Sequence, residues 1–365
     1  PLVHILSAAA FLLWGFYSGD WRLATNIAAA VLIITCPWAL GLAVPAVLTA
    51  ASGRLFRNGV LLKEGVALER LAEVDTVVFD KTGTLTTGKP KLINGEAVSI
   101  KDMTVAVALA QGSAHPLSKA IKEFGATQGI VPAKLEDTIE EPGMGAQATL
   151  DGQVVRLGRA VWCGAEDSDV TQTASWLRIG EGAPVALLFE DTLRPEIPET
   201  ITALKAEGLD VRLLSGDGKA PVKALAEKLG IEGWVAEATP ASKVEKLEEL
   251  GAEGRKVLMV GDGLNDAAAL AGAHVSMSPA SAVDASRTSA DLILVGDDLS
   301  EVVKSLRLAR ISKRRILENF ALAAIYNLIA VPIALMGFAT PLLAALAMSA
   351  SSIMVSLNAM RLGRK

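Results

Sequence analysis

The sequence predicts α/β domains in water joined to α-helices in a membrane, and three observations carry that prediction. Charge is segregated: residues 2–50 and 316–360 are nearly free of it, while 51–315 hold almost all of it. The charged segment alternates short apolar runs ending in or near Asp and Gly with amphipathic helical stretches, the pattern of a parallel sheet covered by helices on both faces. The whole chain of 365 residues is 51% hydrophobic, with a mean hydropathy of +0.40, which is too apolar for an ordinary soluble domain.

Taken in order, the apolar stretches are 2–18, 23–50, 317–337 and 340–360, against the roughly 20 residues a helix needs to cross a bilayer. The second is longer than one span requires and contains Pro37 and Pro45, so it reads as a tilted or broken helix. Arg54, Arg57 and Lys63 follow it, Lys313 to Arg315 precede the third, and Arg361, Arg364 and Lys365 follow the fourth. The excess of positive charge beside these spans places all three clusters on the cytoplasmic side, with the intervening residues as a cytoplasmic insert. The chain opens inside an apolar run without an initiator Met, and so reads as a fragment of a longer protein.

Within the insert, "TVVFD" (76–80), "VRLLSGD" (211–217), "KVLMVGDGLND" (256–266) and "DLILV" (291–295) read as strands. Residues 196–207, 219–229 and 241–250 read as the helices between them. Residues 91–189 interrupt the alternation and have their own Gly and Pro punctuation, which marks a second domain inserted into the first. The expected organisation is 1–70 membrane helices and stalk, 71–90 with 190–305 the discontinuous α/β domain, 91–189 the insert, and 306–365 a C-terminal helix pair. A net charge of −5 without a basic tract excludes a nucleic-acid partner, and two cysteines, Cys36 and Cys163, exclude a disulfide framework.

The chemistry begins at Asp80. A carboxylate at the end of a buried strand, followed by Lys81 and the Thr82–Thr84 turn, suits a nucleophile toward phosphorus once a cation masks the repulsion between two anions. Asp262 and Asp266 close another strand and offer oxygen ligands for Mg²⁺. Ser215 and Gly216 add a hydroxyl and an amide, and Lys243 a long-range cation, to the same phosphate of ATP. Thr82 occupies the position where a phosphatase of this design places its second acid, so the aspartyl phosphate is expected to persist.

These motifs resemble the heavy-metal-transporting P-type ATPases. "DKTGTLT" (80–86), "SGD" (215–217), "TPASK" (239–243) and "VGDGLNDAAAL" (260–270) match that family's phosphorylation domain in order and spacing. The resemblance implies a haloacid-dehalogenase-like parallel sheet and adds Asp217 to the catalytic set. "SAHP" (113–116) and "PGMGA" (142–146) are similar to the nucleotide-binding domain, with His115, Gly143 and Gly145 lining the ATP pocket. "CPWALGLAVP" (36–45) resembles the membrane signature, and the segment 273–295 is closest to copper pumps linked to assembly of cbb3-type oxidases. What this implies is ATP-driven export of a transition metal from a bacterial cytoplasm across the plasma (inner) membrane, Cu(I) favoured. Cys36, Tyr326, Asn327, Met348 and Ser352 would be the site for the ion, and a metallochaperone donor and an oxidase-assembly acceptor would be partners.

Four residues depart from that pattern. Trp38 stands where copper relatives usually have a second Cys, and an indole is no ordinary metal ligand. Ala110 and Ala114 stand where relatives often carry Glu, and Ala268 where Pro is usual. The resemblance also implies an actuator domain, which this chain does not contain. A Zn²⁺ or Co²⁺ pump is the first alternative, although the acidic, His or Lys residues such relatives tend to carry are missing between 320 and 360. A membrane ATPase with an impaired metal site, acting as a sensor or regulator, is the second.

Overall fold

The computed structural model describes residues 2–36, 38–141, 143–165, 172–262, 266–280, 288–296 and 298–363. The chain divides into two compact units, Pro1–Glu73 with Glu301–Lys365, and Val74–Ser300.

The first unit is helical. Helices Leu2–Ser18, Trp21–Ile34 and Trp38–Arg57 are followed by a three-residue strand, β1 (Val60–Leu62), and the short helix Gly65–Leu71. The chain returns with Ser300–Leu335 and Pro341–Met360. Among the described residues, two helices are long and apolar enough to cross a membrane, Ser300–Leu335 and Pro341–Gly363. The predicted span 317–337 is thus mostly the distal part of a longer helix whose charged first half supplies Lys313 to Arg315. The long apolar stretch 23–50 resolves as a broken helix. Thr35 folds its hydroxyl back onto the Val31 carbonyl at 2.6 Å, the first segment stops there, and the next begins at Trp38. The core of this unit is rich in alanine, with Ala10, Ala30, Ala334 and Ala344 beside Ile27, Val31 and Ile34, as expected where small residues let helices approach closely. Asn319, fully buried, donates to the Ala43 carbonyl at 3.3 Å and accepts from Asn358 at 2.9 Å, which ties three helices together by polar contacts.

The second unit contains two sheets. Its strands in chain order are β2 (Thr76–Asp80), β3 (Thr86–Leu92), β4 (Glu136–Glu141), β5 (Gly145–Leu150), β6 (Gln153–Gly158), β7 (Thr173–Ile179) and β8 (Val185–Leu193). They continue as β9 (Asp210–Leu214), β10 (Gly233–Val235), β11 (Val257–Val260), β12 (Val275–Pro279) and β13 (Leu292–Leu294). In the first sheet the parallel order is β13-β12-β11-β2-β9-β10. All five residues of β2 are buried, which explains its unbroken apolar reading up to Asp80. Helices Ile197–Ala206, Lys219–Leu229 and Pro240–Ala252 separate the strands close to their expected positions. Pro240 at the first helical position and the Thr239 side chain, which accepts the Ser242 amide at 3.2 Å, fix the start of the last of these.

The second sheet is antiparallel, ordered β3-β8-β7-β6-β5-β4, with helices Ile100–Ala110 and Pro116–Thr127 packed on it around Leu109, Ile121, Val155, Leu177 and Phe189. It is built from the segment between β2 and β9, so the chain leaves the parallel sheet through β3 and returns to it through β8.

Candidate active site

Parallel pairing brings the carboxyl ends of β2, β9 and β11 side by side, because β2 lies between the other two. Ligands gather at such strand ends in open α/β sheets. Here the three ends deliver Asp80, the Ser215–Asp217 loop and Asp262 to one place. Asp266, at the start of helix Ala267–Gly272, completes the group: Asp80, Asp262 and Asp266 each bring a carboxylate oxygen within 4.8 Å of the others.

Lys243 reaches this cluster directly. Its ammonium donates to Asp80 at 2.5 Å and to Asp266 at 2.6 Å, although the sequence placed it only as a long-range cation. Burial alone would lower the Lys243 pKa, but the two carboxylates overcome that and raise it, so the group stays charged. The excess of acid falls on the carboxylates. Burial first and Asp266 second push Asp80 up to about 7, against the pull of Lys243. Asp262 is pushed up to about 6 by burial and by Asp266, with Arg194 opposing. Three oxygen donors that repel one another match what Mg²⁺ requires, and a cation would relieve the repulsion that raises both groups.

The loop after Asp80 is shaped around these acids. Gly83 has φ +75, and a Cβ there would lie 1.8 Å from Asp262 Oδ2, so the backbone approach is open to glycine alone. Arg194, buried and distant in sequence, clamps the loop: its guanidinium donates to the carbonyls of Gly83 at 3.1 Å, Thr84 at 2.9 Å and Thr86 at 3.3 Å. Asp191 holds the Thr86 and Thr87 hydroxyls. The clamp was not legible in the sequence, since nothing local marks Arg194 as a partner of residues 83–86. Thr82 is exposed. Lys81 donates to the Asp217 carboxylate, and Ser215 Oγ accepts the Asp217 amide at 3.2 Å, leaving its own proton to donate. Gly216 sits between these two, where a Cβ would lie 3.4 Å from the Ala238 carbonyl.

Asp217 also lines a cavity of about 570 Å³ that extends into the inserted domain. His115, Gly143, Met144, Gly145, Gly158 and Arg159 are among its walls, so the predicted nucleotide residues share one pocket with a residue of the Ser215–Asp217 loop. His115 caps helix Pro116–Thr127, its Nδ1 accepting the Leu117 amide at 3.2 Å. Burial lowers its pKa, with Glu140 opposing, so the ring is neutral and its remaining proton sits on Nε2. Gly143 turns at φ +79, and Gly145 packs so closely on β6 that a Cβ would lie 2.1 Å from the Leu157 carbonyl.

The predicted ion ligands all lie in the helical unit. Cys36 is half-buried at the break between helices. Tyr326 Oη and Asn327 Oδ1, on helix Ser300–Leu335, are buried without a hydrogen-bond partner among the described residues. Met348 and Ser352 lie on Pro341–Met360, where the Ser352 hydroxyl donates to the Met348 carbonyl at 3.1 Å. Trp38 opens its helix, and its side chain lies outside the described residues, as does Pro37. Cys163, buried against β7, takes no part in either site.

Known proteins group with this arrangement. The haloacid dehalogenase-like hydrolase family profile matches residues 74–274. The nitrogen fixation protein FixI of Rhizobium leguminosarum bv. viciae is 48% identical over 367 residues, an alignment covering 99% of this chain and 48% of that protein. The probable copper-transporting ATPase PacS of Synechocystis sp. is 34% identical over 394 residues, covering 99% of this chain and 53% of the relative. The chain thus spans about half the length of the curated relatives it matches. A zinc-transporting PIB-type ATPase solved in its E2.Pi state superposes with a TM-score of 0.80 at 29% identity, covering 100% of this chain and 62% of that one. The carboxylate cluster, the inserted sheet and these likenesses agree: the chain belongs to the haloacid dehalogenase-like hydrolase family and, within it, to the heavy-metal P-type ATPases.

Proposed function

We propose that this chain is the catalytic and C-terminal membrane part of an ATP-driven pump that exports a transition metal, Cu(I) before others, through an aspartyl phosphate on Asp80. The observation that carries the reading is the convergence of Asp80, Asp262, Asp266 and Lys243 at the strand ends, beside a cavity that joins the inserted domain to Asp217.

ATP binds in that cavity against His115, Gly143 and Gly145. An Asp80 oxygen attacks the γ-phosphorus, the bond to the bridging oxygen breaks, and ADP leaves. Lys243 holds Asp80 and Asp266 in place, while Lys81, the Ser215 hydroxyl and the Gly216 amide surround the transferred group. Asp217 anchors Lys81. Asp80, Asp262 and Asp266, with Thr82, would hold Mg²⁺, which supplies charge neutralisation between carboxylate and phosphate when bound. With Thr82 in place of a second acid, the phosphoenzyme survives long enough to drive a change in the membrane unit.

There Cys36, Tyr326, Asn327, Met348 and Ser352 form the transport site. A thiolate and a thioether favour Cu(I), and no acid, His, Lys or Arg occurs between 320 and 360 to favour Zn²⁺. The protein is an integral protein of the bacterial plasma (inner) membrane with its catalytic unit in the cytoplasm, taking metal from a metallochaperone and delivering it toward oxidase assembly. Membranes with the full-length protein, given labelled ATP and Mg²⁺, should form hydroxylamine-sensitive phosphoenzyme that rises with Cu(I). Asp80→Asn should abolish the label, and Cys36→Ala should abolish the copper dependence. Label that ignores every metal would overturn the transport reading.

A further inference from the structure

Glu140 lies on β4, at the edge of the antiparallel sheet, within the run "EDTIEE". All six side chains are exposed, and the acids among them read as a solvated face that protects an exposed edge, the ordinary use of charge there. Glu140 and Glu141 both line the nucleotide cavity, and Glu140 differs in that its carboxylate is tethered. The Ser113 hydroxyl donates to Glu140 Oε1 at 2.7 Å. The same hydroxyl accepts the His115 amide at 3.2 Å, and Ser113, 6% exposed, has its carbonyl held by the Lys122 ammonium at 3.1 Å. A serine hydroxyl has one proton, and here it is spent on orienting this carboxylate. Oε2 has no hydrogen-bond partner among the described residues.

A carboxylate in an ATP pocket repels the triphosphate, so the part of the ligand it can face is the base. It accepts hydrogen bonds and, when ionised, donates none. The 6-amino group of adenine supplies the donor that such an acceptor needs, whereas a 6-oxo purine turns lone pairs toward it. Beside Glu140, His115 offers the complementary character, a neutral ring with its proton on Nε2.

We infer that Glu140 is the specificity-determining residue for adenine, its Oε2 accepting from the 6-amino group, and that Ser113 positions it. The inference rests on reading the cavity as the ATP site and adds to it the residue that reads the base.

The test is the concentration of nucleotide that half-saturates labelling of Asp80, measured with ATP and with inosine triphosphate on the full-length protein in membranes. Wild type should favour ATP by at least about tenfold, the worth of one hydrogen bond to a charged group. In Glu140→Ala the ATP requirement should rise by about that factor while the inosine triphosphate requirement does not, and maximal labelling should stay the same. Glu140→Gln can turn its amide NH₂ toward a 6-oxo group, so the preference should shrink or reverse. Ser113→Ala should fall between wild type and Glu140→Ala. An ATP-to-inosine-triphosphate ratio equal in wild type and both Glu140 variants overturns the inference while leaving the ATP pocket in place, as does an equal weakening for both nucleotides. Absence of labelling in wild type by either nucleotide overturns the ATP reading itself, and this inference with it.

Discussion

Replacing Gly83 by alanine tests the architecture of the proposed phosphorylation site more sharply than removing any acid. At φ +75 an alanine costs about 1–2 kcal/mol of backbone strain. That is tolerable in a folded domain. The steric term is not, because the new Cβ would sit 1.8 Å from Asp262 Oδ2, far inside the 3.0 Å that real contacts respect. Either the carboxylate or the loop must shift by more than about 1 Å, and a displacement of that size at a reacting centre costs on the order of a hundredfold in rate. The assay is the rate of ATP-dependent labelling of Asp80 as a function of Mg²⁺. Gly83→Ala should label about a hundredfold more slowly and need more Mg²⁺. Gly254→Ala is the matched control: it has φ +84 and nothing within 4 Å, so it carries the strain without the collision. It should lower the melting temperature and leave labelling alone. A Gly83→Ala protein with wild-type rate and Mg²⁺ dependence would refute the claim that Asp262 works from the position observed.

Other consequences follow from the same cluster. Asp80 binds a proton more readily folded, at about 7, than at its ordinary 3.8, so the folded state carries the extra proton between those values and stability falls as pH rises through that window. In chelator at pH 8, Asp80→Asn should therefore melt above wild type, by an amount on the order of a few kcal/mol, and the gap should close below pH 4 or on adding Mg²⁺. A wild-type melt that is flat across this window would count against the acid cluster. Removal of Arg194 should loosen the loop it clamps: Arg194→Lys keeps the charge but not the planar fork, and should cost about 2–4 kcal/mol and slow labelling. Lys243→Met removes the cation that the buried Asp80 and Asp266 carboxylates share, with an expected loss of about 3–5 kcal/mol that the added change Asp80→Asn partly restores, read by thermal melting.

What the sequence made legible follows from how local each signal is. β2 announces itself because a strand buried on both faces reads as an apolar run, and the run ends on Asp80. β12 went unread: Ser276 and Ser278 alternate with Val275 and Met277, and the strand looks half-polar although every residue is buried. Ser276 is tolerated there because its hydroxyl and amide both meet Asp291, a partner fifteen residues away that no local pattern reveals. Lys243 and Asp80 are 163 residues apart, and only the placement of helix Pro240–Ala252 turns a remote cation into a contact. Glu140 was invisible for the opposite reason. Its run of acids is legible as surface, and the single tether to Ser113 that distinguishes it exists only once two distant segments of the inserted domain have folded together.

The membrane unit poses the converse problem, since its most informative atoms are buried oxygens without a hydrogen-bond partner among the described residues. Tyr326 Oη and Asn327 Oδ1 are two such atoms, on consecutive residues of one helix. An unsatisfied buried polar atom costs about 1–3 kcal/mol, a cost that a helix surrounded by alanine and leucine could avoid with an apolar side chain of the same size. If Asn327 were there for packing, Asn327→Leu would be neutral or stabilising and would change nothing else. If the oxygen is kept for a passing ion, the same substitution should again leave the melting temperature unchanged or raised, yet remove the Cu(I) dependence of Asp80 labelling. The two readings thus agree on stability and part on coupling, so the decisive measurement is labelling with and without Cu(I) in a variant shown to be folded. Retained copper stimulation in Asn327→Leu would return Asn327 to the packing residues. Its loss, with stability intact, would mean that the fold tolerates the unpaired oxygen because the transport step uses it.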